Sequence, residues 1–179
     1  MPEIILYIAT SLDSFIATPD GGYDWLPAID LEGKDYEYQE FFNSIDAVLI
    51  GSTTYEQILQ NNEEWPYENK PTWVFSQRQL TPANSNVKIT SKSPKDVVSE
   101  LADHEIKRAW LVGGAAITAA FREQRLISKY IIFISPIILG SGISLFSQSN
   151  PIETLDLVDS KSHPGGVLEL VYVPQKTPK

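Results

Sequence analysis

A chain of 179 residues, 42% hydrophobic and 21% charged, is sized and composed as one globular domain over residues 1–179. Its net charge of -9 argues against a nucleic-acid or anionic-membrane surface, and the absence of cysteine excludes disulfides, thiolate metal sites and a cysteine nucleophile. His104 and His163 lack the spacing of a zinc site, no apolar run reaches the roughly 20 residues of a membrane span, and Met1-Pro2-Glu3 runs straight into a strand-like segment, which predicts no secretory signal and a cytoplasmic location.

Ile4–Ala9 reads as a buried strand that breaks into the polar turn Thr10-Ser11-Leu12-Asp13-Ser14 and resumes apolar character through Phe15-Ile16-Ala17. Asp20-Gly21-Gly22-Tyr23-Asp24-Trp25 is a glycine-bearing aromatic loop, able to close over a planar ligand or to fold Trp25 onto the core. Asp35–Ser44 predicts a helix, because Tyr38, Phe41, Phe42 and Ile45 recur at i, i+3, i+4 and i+7. Ala47–Ile50 predicts a strand ending at Gly51, followed by a helix opening on Ser52, Thr53 and Thr54. Free N–H groups and hydroxyls at such a start suit a pyrophosphate. Thr53-Thr54-Tyr55-Glu56 is equally a capping-box pattern, with Thr53 as a plain N-cap.

Thr72–Phe75 predicts a strand whose end carries Ser76, Gln77 and Arg78. Ligands collect at the carboxyl ends of strands in open α/β sheets, and the Arg78 fork suits a terminal phosphate. Lys92 reads better as a solvated charge. After Val87–Ile89, Ser93-Pro94-Lys95-Asp96 marks a helix start with a serine cap and proline in the first turn. Ala109–Val112 runs into Gly113-Gly114 and then Ala115-Ala116-Ile117-Thr118, a strand, a glycine turn and a helix. Backbone and ligand approach closely where no Cβ intervenes.

Tyr130–Ile134 is a further strand; the apolar run Ile131–Ile138 is either a central strand or an edge that supplies a homodimer interface. Ile152–Ser160 and Val167–Val173 flank His163-Pro164-Gly165-Gly166 as an antiparallel hairpin. Strands alternating with helices and closed by a hairpin predict an α/β domain, its sheet mostly parallel with an antiparallel edge. A G-x-G-x-x-G turn after the first strand is missing, which argues against an ordinary Rossmann dehydrogenase.

Four segments together resemble the dihydrofolate reductase-like family over about residues 4–173: Ser11–Ala17, Gly51–Glu56, Leu111–Gly114 and Pro136–Phe146. The last, proline-x-x-leucine-glycine-x-glycine followed by leucine-phenylalanine, is most similar to stand-alone proteins of the type of the reductase domain of riboflavin-biosynthesis deaminase-reductases. The resemblance implies a three-layer fold, a mostly parallel central sheet with helices on both faces and a C-terminal antiparallel hairpin. It also implies an NADPH-dependent reductase acting on a C=N or C=O bond of a small planar heterocyclic or ribosyl-pyrimidine-like substrate. Ala9 and Ile16 match positions lining the nicotinamide pocket. Gly51, Ser52, Thr53 and Thr54 match the pyrophosphate loop, and Ser76, Gln77 and Arg78 the adenosine end. Gly113, Gly114, Ala115 and Ala116 match the glycine pair and the helix that follows it.

Three residues depart from the pattern. Ser14 stands at a usual glycine, Ser52 where folate reductases place an arginine, and Ala115 at a frequent third glycine. For the proton source the resemblance points to Asp35, at the matching distance before Gly51, or to Asp13 in the riboflavin-type motif. A helix-start acid and an Asx turn are the respective alternatives. Trp25, Tyr36 and Tyr55 are the candidate aromatic contacts to substrate. A non-catalytic nucleotide-binding protein and a genuine dihydrofolate reductase remain open, and relatives imply a possible homodimer.

Overall fold

The computed structural model describes residues 1–26, 37–61, 64–146 and 151–175. The elements in chain order are β1 (Glu3–Thr10), β2 (Phe15–Ala17), α1 (Tyr38–Ser44), β3 (Ala47–Gly51), α2 (Ser52–Asn61), β4 (Thr72–Phe75), β5 (Val87–Thr90), α3 (Pro94–Asp103), β6 (Arg108–Gly113), α4 (Ala115–Glu123), β7 (Lys129–Ile134), β8 (Ile143–Ser144), β9 (Leu155–Ser162) and β10 (Leu168–Pro174). The main sheet runs β5-β4-β3-β6-β1-β7-β10-β9. Every pairing from β5 to β7 is parallel, and β10 joins β7 and β9 antiparallel.

The continuous apolar runs mark strands covered on both sides. Ile4, Leu6, Leu49 and Leu111 pack under α3 and α4, where Val97, Val98, Leu101 and Phe121 meet them. Ile5, Val48, Ile50 and Trp110 pack on the opposite face against Phe41 of α1 and Tyr55 of α2. Side chains that alternate along a strand therefore serve two cores. The expected α/β architecture, with its parallel sheet and C-terminal hairpin, is the observed one.

Boundaries differ where local chemistry intervenes. The helix expected from Asp35 begins at Tyr38, immediately after Glu37 in left-handed backbone (φ 64°). The capping box at Thr53–Glu56 does not form: α2 opens at Ser52, Thr54 accepts from Gly114, and Glu56 holds Arg78. The predicted cap of α3 does form, with Ser93 Oγ accepting from Asp96 N–H at 3.3 Å. Ile131–Ile138 is not an edge, because β7 lies between β1 and β10. The hairpin strands sit slightly later than expected, on either side of a 3-10 turn at Pro164–Gly166, and their register shifts between Val171 and Tyr172.

A two-stranded ribbon of β2 and β8 escapes sequence reading because both strands are so short. It explains the riboflavin-type motif. Asp13 accepts from Leu139 N–H at 3.1 Å and Gly140 N–H at 2.8 Å, and from Ser11 Oγ at 2.6 Å. A Cβ on Gly142 would lie 2.3 Å from the Ala17 carbonyl oxygen, so only glycine lets the ribbon close. Ser14 adopts left-handed backbone (φ 69°), a conformation that glycine takes up without strain.

Glu100 ties α3 to the sheet. Its carboxylate accepts from Trp73 Nε1 at 3.0 Å and from Lys92 Nζ at 2.7 Å, and also from Lys88. Hydrogen bonds from Lys88, Lys92 and Trp73 hold its pKa down to about 2, from an ordinary 4.5. A depressed carboxylate stabilises the fold above its unfolded pKa and loses that contribution as the pH falls through the folded one. Glu100→Gln is therefore expected to cost roughly 1–2 kcal/mol at pH 7, discounted for the half-exposed lysines. In urea unfolding the gap to wild type narrows as the pH drops from about 4.5 toward 2; a gap independent of pH contradicts this. Thr118 offers the opposite case: it is 0% exposed and its Oγ1 has no partner among the described residues. Thr118→Val is expected to be neutral or to raise stability by up to roughly 1 kcal/mol, because it removes an unsatisfied buried hydroxyl.

Candidate functional site

The parallel strands place their carboxyl ends on one side of the sheet, and a cavity of about 1250 Å³ opens there. That exceeds the roughly 300–1,000 Å³ of a pocket for one small ligand. Ala9, Gly51, Phe75 and Val112, at or near the ends of β1, β3, β4 and β6, form its floor.

Two helix starts meet across this floor. Ser52, Thr53 and Thr54 open α2, and Gly114, Ala115 and Ala116 lead into α4; all six line the cavity. Gly114 N–H donates to Thr54 Oγ1 at 2.9 Å, which fixes one start against the other. Gly113 and Gly114 are joined by a cis peptide bond, and Gly113 has φ 110°, a backbone that favours glycine. Gly113 closes the strand beneath and does not line the cavity, whereas Gly114 does. First-turn N–H groups lack intrahelical partners, so both starts offer donors to an anionic group.

Ser76, Gln77 and Arg78 line the same cavity beyond β4. The Ser76 hydroxyl accepts from Arg78 N–H and donates to its carbonyl, both at 2.9 Å, which folds the turn. The Arg78 fork is already engaged: Nη1 and Nη2 donate to Glu56 Oε1 and Oε2 at 3.1 and 2.5 Å. A phosphate contact by this fork would have to displace Glu56; the side chain is 59% exposed. Lys92 also lines the cavity while paired with Glu100. Ile16 and Ala9 both line the cavity.

Away from the helix starts the cavity is walled by rings. Tyr7, Tyr38, Tyr67, Trp110 and Phe133 line it, none of them among the residues expected to contact a substrate. Tyr7 and Trp110 sit on adjacent strands on the face covered by α1, and Trp110 Nε1 donates to the Tyr7 carbonyl at 3.0 Å. Burial pushes the Tyr38 phenol up, and burial followed by the neighbouring phenols of Tyr38 and Tyr23 pushes up Tyr67. Scattered over separate elements, these residues read in sequence as core.

The expected aromatic contacts fare differently. Tyr55 is 1% exposed and packs in the core with its hydroxyl on the Thr81 carbonyl at 2.9 Å, so it does not reach the cavity. Trp25 is half-buried and does not line the cavity; its neighbours Tyr23 and Leu26 do. The loop before it is pinned to α2 by Gln57 on the Gly21 carbonyl and by Asn61 on the Tyr23 hydroxyl. Tyr36 and Asp35 lie outside the described residues. Asp13 does not line the cavity either. Its hydrogen bonds, from Ser11 foremost, hold its pKa below the ordinary carboxylate range, which keeps it charged and committed to the ribbon rather than available as an acid. No helix among the described residues is long and apolar enough to cross a membrane.

Residues 2–168 match the family model of the RibD C-terminal domain. An uncharacterized protein of Bacillus subtilis (strain 168), YwjB, is 32% identical over 171 residues, 96% of this chain and 97% of its own length. The riboflavin biosynthesis protein RibD of Corynebacterium ammoniagenes is 24% identical over 165 residues, 82% of this chain but only 47% of that protein. In three dimensions, a candidate riboflavin biosynthesis protein from Shewanella sp. PV-4 superposes with a TM-score of 0.86 at 23% identity, over 97% of this chain and 99% of its own.

Proposed function

The chain belongs to the RibD C-terminal domain family, and from that premise we propose that it is an NADPH-dependent reductase that transfers a hydride to a C=N or C=O bond of a small planar substrate. The supporting observation is the pair of helix starts, joined by the Gly114–Thr54 hydrogen bond, in a cavity that continues into a ring-lined chamber. The donor set suits a dinucleotide. Backbone N–H groups and the hydroxyls of Ser52, Thr53 and Thr54 would hold the pyrophosphate without side-chain charge, in keeping with a chain of net charge -9. Ser76, Gln77 and Arg78 would hold the adenosine end.

The bound nicotinamide supplies the hydride, and the residues of this chain do the placing. Ala9 and Ile16 line the cavity, and their small or aliphatic side chains would admit a flat ring. The chamber walls exclude water and orient the acceptor bond. Phenols whose pKa is raised by burial stay protonated and donate hydrogen bonds, but they are poor proton donors at neutral pH. The proton then comes from water or from Asp35, the remaining acid that the resemblance indicates.

Titration with NADPH and with NADH, followed by nicotinamide fluorescence, tests the reading. Saturable NADPH binding is expected, weakened on the order of tenfold or more by Ser52→Asp, which sets a carboxylate against the phosphates. Arg78→Ala is expected to weaken NADPH and spare NADH, because the fork exchanges Glu56 for the extra phosphate. Absence of binding by either nucleotide overturns the reductase reading.

A further inference from the structure

The ring-lined chamber has a chemistry of its own. Trp110 is its fixed centre: ring centroids of Tyr7, Tyr38 and Tyr67 lie 6.0, 5.8 and 5.3 Å away, with interplanar angles of 82°, 71° and 73°. Tyr7 is stacked on Phe41 behind it, centroids 4.1 Å apart at 13°, and sits 4.8 Å from Phe133. Edge-to-face contacts of this kind lock rings in place. The indole is further held by its bond to the Tyr7 carbonyl. The shape of the chamber is thus set by protein packing, and a flat guest meets preformed aromatic walls.

The polar groups offered by these walls are hydroxyls. Tyr38 and Tyr67 line the chamber with Tyr23, and the proximity of the three phenols is what, after burial, raises the proton affinity of Tyr67. The charged side chains that line the cavity, Arg78 and Lys92, lie beyond the ends of β4 and β5 and are paired with Glu56 and Glu100, so these rings offer an anion no counter-charge to offset its desolvation. A neutral ring meets no such cost, and a carbonyl on it accepts from a phenol that is always protonated.

We propose that this chamber binds an uncharged, flat, conjugated carbonyl compound, its ring against Trp110 and Tyr7 and its oxygen accepting from the hydroxyls of Tyr38 and Tyr67. The inference rests on the reductase reading for the use made of the guest, and it narrows the substrate to a neutral ring, setting aside a phosphorylated one. Reduction balances simply. A hydride from the reduced nicotinamide forms a C–H bond on the conjugated system, the C=O π pair moves to oxygen, oxygen takes a proton from water, and the nicotinamide is left oxidised.

A matched pair of probes tests it: 1,4-naphthoquinone and 1,4-naphthoquinone-2-sulfonate, titrated into the full chain by calorimetry. The chain has no cysteine, so thiol addition to the quinone does not interfere. The neutral quinone is expected to bind about tenfold or more tightly than the sulfonate. Tyr38→Phe, which keeps the ring, is expected to weaken the quinone several-fold and leave naphthalene binding unchanged. Equal or tighter binding of the sulfonate overturns the proposal, as does indifference of quinone affinity to both Tyr38→Phe and Tyr67→Phe. NADPH binding measured on the same variants separates the two readings. Nucleotide binding with no preference for the neutral probe sinks the chamber assignment alone; a clear preference with no nucleotide binding sinks the reductase reading and leaves the chamber.

Discussion

The hydrogen bond from Gly114 N–H to Thr54 Oγ1 joins two segments 60 positions apart in the chain and brings two helix starts together at the cavity. Without it, the starts of α2 and α4 would be separate helix termini on neighbouring strands. With it, they become one surface of N–H groups and hydroxyls at the carboxyl ends of β3 and β6. The bond is possible because β3 and β6 are paired in parallel, Ile50 beside Gly113, so that both chains turn into helices at the same level. Sheet register, helix start and donor surface are one arrangement seen at three scales.

Asp13 has the same kind of structural leverage with a different outcome. A carboxylate in a polar turn after a buried strand invites a catalytic reading, and the residue does sit close in sequence to cavity positions. Its oxygens are instead spent on the backbone of residues 139 and 140, across more than a hundred positions of chain. The clasp holds the β2–β8 ribbon shut beside the cavity, where Ile16, Ala17 and Ile143 contribute wall. Its charge stabilises a loop, and the motif it belongs to is a closing device.

What could be read from the sequence followed from short-range physics. Continuous apolar runs marked parallel strands, and glycine with hydroxyls at their ends marked the donor surface, because both signals are local. Long-range facts stayed hidden. Arg78 looked uncommitted because its counter-ion, Glu56, lies 22 residues earlier, and a capping box was the more economical use of that glutamate. Tyr55 is an aromatic close behind the Gly51–Thr54 segment and so a candidate contact to a planar ligand, yet helical rotation carries it into the core. The rings that do line the cavity were hidden for the converse reason. Tyr7 and Trp110 have the alternation of buried strand residues, and hydrophobic pattern does not distinguish a ring facing the core from one facing a cavity.

The hairpin that finishes the fold leaves β9 as the outer strand of the sheet, with one row of backbone groups unpaired by the main ladder. Such a row is a template for adding foreign strands and so for aggregation. Here Leu157 and Val158 are exposed on it, but Asp156, Asp159 and Lys161 punctuate the same strand, and the register shift between Val171 and Tyr172 breaks the regularity of the ladder beneath. Charges that would face their own copies in a stacked register, on a strand already twisted by an irregularity, oppose fibril-like growth. The late bulge in the last strand pair thus interrupts the ladder at one of the two edge strands of the main sheet, β9, the other being β5.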